Sequence, residues 1–142
     1  MTNPAAFNKS LEQIIEKRNI IFKMNYNDDG YDEVEDELHD LEDDFNEEYE
    51  DYLNEILEDA HGDIKSDADI LLPTAYIANF YKEEPELDAD GAKVYSIPVE
   101  AGVYAESDEN PEADSRMVFM PSPARLIYIV NGQLVKELWR IS

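Results

Sequence analysis

The chain has 142 residues, 43% of them apolar, with 35 Asp and Glu against 11 Lys and Arg for a net charge of −24, and no cysteine. The lack of cysteine excludes disulfides, zinc–thiolate centres and thiol nucleophiles. The scarcity of Lys and Arg argues against direct nucleic-acid binding, while the apolar share is enough for a core in a single domain spanning 1–142.

The acidity is local. Residues 1–26 hold four basic and two acidic side chains, residues 27–64 hold nineteen acids and no Lys or Arg, and residues 65–142 hold seven bases and fourteen acids. The acidity of a salt-adapted protein would be spread over its whole surface, so this concentration in one segment argues for a local cause, either a solvated face that keeps the protein soluble or a binding surface.

The N-terminus lacks a basic segment followed by an apolar one, so no signal peptide is expected. No apolar run approaches the ~18 residues that suggest a membrane span. A cytoplasmic protein with no membrane association is the resulting expectation.

A first helix is predicted over 4–24. Asn3 suits the N-cap and Pro4 the first helical position, where its missing N–H would be unpaired anyway. Phe7, Leu11, Ile14, Ile15, Arg18, Ile21 and Phe22 recur at helical spacing, with Ile20 and Met24 widening the face.

Next comes "NYNDDGYDEVED" (25–36), which matches a calcium-loop pattern in part. Asn25, Asn27, Asp29, Glu33 and Asp36 fall at ligand positions 1, 3, 5, 9 and 12, with Gly30 at position 6. The departures are neutral Asn25, polar Asp32 where an aliphatic residue is usual, and Asp36, one carbon short of the usual Glu. The favoured reading is an acidic interhelical turn; a divalent-cation loop through those five residues is the alternative. No cofactor is expected.

A second helix is predicted over 33–61, with Asp32 as N-cap, Glu35 completing an acidic capping box and Gly62 as the stop. Val34, Leu38, Leu41, Phe45, Tyr49, Tyr52, Leu53, Ile56, Leu57 and Ala60 form its apolar stripe. Its last turns are expected to reach over the sheet. The opposite face carries Glu33, Glu37, Asp40, Asp44, Glu47, Glu48, Asp51, Glu55 and Glu58. Like charges at i,i+4 destabilise a helix, and acids near its C-terminus oppose the macrodipole. Folding alone does not require this face, and such a field would steer a basic partner into fast encounter.

Both histidines sit on this helix, in Asp36-x-x-His39 and Glu58-x-x-His61. The pairs are about 33 Å apart along the axis and cannot share a metal. They read as solvated imidazoles whose neighbouring carboxylates favour the protonated form.

From residue 69 the periodicity turns to two. Strands are predicted over 72–82, 92–99, 103–105, 116–120, 125–130 and 133–141. "DADG" (88–91) and "VNGQ" (130–133) read as hairpin turns, and 107–115 as a polar loop. The Asn-Gly turn sets Ile129 opposite Leu134 and Tyr128 opposite Val135. The fold class is therefore α+β, with an N-terminal antiparallel helical hairpin (1–62) followed by a four- to six-stranded antiparallel β-meander (69–142), whose last strands could close as a small barrel.

No G-x-S-x-G or phosphate-binding glycine loop is present, and the only two His are both placed on the second helix while the later serines fall in loops or strands, so no enzymatic activity is expected. The favoured function is a non-enzymatic module whose acidic helix engages a basic protein, as an inhibitor or immunity protein would. The alternative is a small-ligand pocket between sheet and second helix, lined by Tyr76, Tyr95, Tyr128 and Trp139.

Overall fold

The computed structural model describes residues 3–89, 91–109 and 111–141. Helix α1 spans Pro4–Phe22. The Asn3 side-chain oxygen accepts from the amides of Ala5 (2.9 Å) and Ala6 (3.2 Å), as its N-cap position predicts. Phe7, Leu11, Ile14 and Ile15 are buried, but Ile20 and Phe22 are exposed, and Phe22 stacks on Phe80 at 4.8 Å between ring centroids.

Helix α2 spans Tyr31–Asp63, about 50 Å at 1.5 Å per residue. Both of its ends differ from expectation. The left-handed Gly30 (φ 87°) stands at the N-cap, so Asp32 is already helical. Gly62 does not stop the helix. The chain continues to Asp63 because Ile64, fully buried, bonds back to the Ala60 carbonyl (3.3 Å), and the left-handed turn falls on Lys65 (φ 54°). Burying an isoleucine, worth about 2 kcal/mol, outweighs glycine's preference for ending a helix.

The two helices run antiparallel. Phe7 near the start of α1 packs on Phe45, Tyr49 and Tyr52, whereas Lys17 and Arg18 near its end pair with Glu37 and Glu42.

The predicted strand over 72–82 is replaced by a 3₁₀ turn, Pro73–Tyr76, and strand β1 starts only at Lys82. Side chains from the helices hold much of this segment, and Ile77 makes an isolated parallel bridge to Phe119. The Arg18 guanidinium donates to the carbonyls of Thr74 and Ile77, and the Asn46 side chain bonds both the amide and the hydroxyl of Thr74.

Strands β1 (Lys82–Leu87) and β2 (Lys93–Ser96) form a separate hairpin, so the meander is divided into two sheets. Its turn is held by Asp88, whose side chain accepts from the Ala92 amide at 2.9 Å; Asp90 lies outside the described residues. The four-stranded sheet orders β3 (Val103–Tyr104), β4 (Ser115–Met120), β5 (Arg125–Val130) and β6 (Gln133–Arg140) as consecutive antiparallel neighbours. It is open, with β3 and β6 at its ends, rather than closed as a barrel. The polar loop between β3 and β4 includes Asn110, outside the described residues.

The Asn131-Gly132 turn takes the two positive φ values of a type I′ turn, 52° and 82°. Ile129 faces Leu134 as expected, but Tyr128 faces Lys136 instead of Val135. A bulge beside the turn leaves Val135 unpaired and 55% exposed. Beyond a second irregularity Leu126 faces Trp139, which turns inward onto Phe7, Tyr52 and Phe119. That aromatic cluster joins hairpin and sheet, and α2 reaches the sheet through it.

Candidate functional site

Seventeen of the 33 residues of α2 are Asp or Glu, and fifteen of these are exposed. The nine acids singled out by periodicity, Glu33, Glu37, Asp40, Asp44, Glu47, Glu48, Asp51, Glu55 and Glu58, are all exposed. At 100° per residue they share an arc about 100° wide and run for about 38 Å. The buried Leu38, Phe45, Tyr49, Leu53 and Leu57 occupy the opposite side. The core thus orients the stripe outward.

Neutralisation is sparse. Among the described residues, the ion pairs reaching α2 are Lys17–Glu37 and Arg18–Glu42. The hydrogen bond to Glu37 holds the Lys17 ammonium above its ordinary pKa. Eight members of the stripe have no ion-pair partner among the described residues. Counted over the whole helix, there is one carboxylate per ~3 Å of axis, close to the 3.4 Å phosphate spacing along one DNA strand.

The 25–36 loop is a compact turn. The Asp28 carboxylate accepts from the Asn25 amide at 2.8 Å, and the Asp28 amide donates to the Asn25 carbonyl at 2.9 Å. Asn25, Asn27, Asp29, Glu33 and Asp36 are exposed. Among the described residues no group of three or more His, Asp or Glu is placed to hold a metal ion.

Of the four aromatics of the pocket reading, Tyr76 and Trp139 both meet Phe119 edge-on, while Tyr128 and Tyr95 have other neighbours. Tyr76 is fully buried, edge-on to Phe119, and Tyr128 is fully buried with its hydroxyl 3.1 Å from that of Ser115. Trp139 packs in the aromatic cluster described above, and Tyr95, on β2, lies edge-on to Tyr81.

His61 corrects the sequence expectation. It is 4% exposed instead of solvated, with Nε2 2.9 Å from the Tyr76 hydroxyl. Burial lowers its pKa below the ordinary histidine value, with the backbone of Ala68 pulling weakly the other way, so the neutral form is favoured rather than the imidazolium. Its Nδ1 makes no hydrogen bond of normal geometry. His39 is exposed. Helical phase was the available clue: His61 lies one residue past Ala60, on the flank of the apolar stripe.

Periodicity also missed the role of Arg18. It sits among the apolar residues of α1 because it bridges α1, Glu42 of α2 and the carbonyls of the 74–78 segment.

No helix among the described residues is long and apolar enough to cross a membrane. No protein-family model, curated protein or solved structure matches the chain.

Proposed function

We propose that the protein is a non-enzymatic binding module whose outward face of α2 engages a basic protein, in the manner of an inhibitor or immunity protein. The observation that carries this reading is the continuous, almost unneutralised carboxylate stripe from Glu33 to Glu58. Its charges lie three and four residues apart and repel one another, so the bare face costs stability. A partner rich in Lys and Arg would relieve that repulsion, and the long-range field would speed its encounter.

The test is affinity capture at low salt with the intact protein and a variant carrying Gln or Asn at the nine stripe positions. The reading expects basic proteins on the wild type, released by salt and not retained by the variant. Recovery of no basic protein at low salt would sink it.

A further inference from the structure

Resting on that reading, we propose that the cleft between α2 and residues 70–73 takes an apolar side chain from the basic partner and thereby sets its register. The cleft encloses about 310 Å³ and is lined by Glu50, Asn54 and Leu57 of α2 and by Ile70, Leu71, Leu72 and Pro73. Leu71 and Leu72 are 48% and 52% exposed, an adjacent pair of large apolar side chains left in water.

The backbone that presents them is fixed. The Leu71 amide donates to the Tyr76 hydroxyl at 3.3 Å, which also bonds His61 Nε2. Three residues further on, the Thr74 amide donates to the Asn46 side chain at 3.3 Å. An apolar anchor therefore meets a preformed wall and does not have to order a loose loop.

The charge around the cleft selects the occupant. Asp43, Glu47, Glu50, Asn54 and Glu58 form one row along α2 at helical spacing, and all are exposed. Asp67 and Asp69 are exposed on the linker that leads into the leucines. No Lys or Arg lines this cleft. A cleft walled by Leu57, Ile70, Leu71, Leu72 and Pro73, with Glu50 lining it and further exposed acids along α2 and the linker, fits a segment that carries a bulky apolar residue between Lys or Arg side chains. A second copy of this chain, at net charge −24, is disfavoured by repulsion. Charge alone attracts a partner without fixing its position, and a buried anchor supplies that register.

The experiment uses fluorescence anisotropy on the intact chain with two short lysine-rich peptides of equal charge, one with a central leucine and one with serine there. The leucine peptide is expected to bind about tenfold more tightly, the effect of burying most of one such side chain. Leu71→Ser with Leu72→Ser should erase that advantage and leave the serine peptide unchanged. Glu50→Lys, which leaves the leucines in place, should weaken the leucine peptide more than the equally charged change Glu33→Lys. Equal salt-sensitive binding of both peptides would overturn the cleft while leaving the acidic-face reading standing. A leucine advantage that survives the leucine substitutions, or equal effects of the two Glu→Lys changes, would also overturn it. Binding of neither peptide at low salt would remove both readings.

Discussion

The Nε2 of His61 lies 2.9 Å from the hydroxyl of Tyr76, near the C-terminal end of α2, and the same hydroxyl receives the Leu71 amide at 3.3 Å. One phenol thus fastens the long helix to the segment that leaves it. Because the imidazole is buried, folding favours its neutral form. Above the ordinary histidine pKa, folded and unfolded chains are both neutral and no penalty arises. As pH falls below it, the unfolded chain takes up a proton that the folded chain resists, so stability declines until the lowered folded pKa is reached.

Thermal melts should therefore show the wild type losing stability relative to His61→Gln as the pH falls through and below the ordinary histidine value of about 6.5. Parallel curves for the two proteins would count against this linkage. Tyr76→Phe should cost about 1–3 kcal/mol in denaturant melts, because it leaves His61 Nε2 and the Leu71 amide without their partner.

Salt should stabilise the protein. If the α2 carboxylates repel one another, added NaCl screens them and raises the melting temperature. A fall or no change would remove self-repulsion as a cost of the acidic face, and with it one support for a basic partner.

Gly102 combines a φ of 78° with no room for a side chain. An added Cβ would lie 2.3 Å from both the Met117 carbonyl oxygen and Val118 Cγ2. Gly102→Ala should cost about 2–4 kcal/mol, from overpacking plus left-handed strain. Gly91→Ala meets open space at φ 82° and should cost only about 1 kcal/mol, the conformational part alone. Equal losses in chemical denaturation would show that packing against β4 is not the cause.

Arg18 joins Glu42 to the carbonyls of Thr74 and Ile77. Arg18→Met should destabilise by about 3 kcal/mol, leaving a half-buried carboxylate and those carbonyls unpaired. Adding Glu42→Gln should recover part of that loss, and a double-mutant cycle by urea unfolding measures how much. Strict additivity would mean the pair is not coupled.

Calorimetry should show no stoichiometric calcium site tighter than about millimolar, the weak end for such loops. The loop acids are exposed, and Asp28 is already engaged by the Asn25 amide. A micromolar site would restore the calcium-loop reading of residues 25–36.

The sequence by itself determined the features whose chemistry is local. Asn3 and Pro4 start α1, the apolar stripe of α2 sets its buried side and so aims nine acids outward, and Asn131-Gly132 makes its turn with its own φ preferences. Only the tertiary structure decided what depends on partners distant in sequence. Residues 73–76 form a 3₁₀ turn because Arg18 and Asn46 bind their backbone, α2 runs past Gly62 because Ile64 finds a buried place, and Val135 is displaced by a bulge. His61 belongs with these. Its acidic neighbours in sequence suggested a solvated imidazolium, but the Tyr76 hydroxyl and the surrounding core set its state, because burial acts on a charge more strongly than exposed carboxylates screened by water.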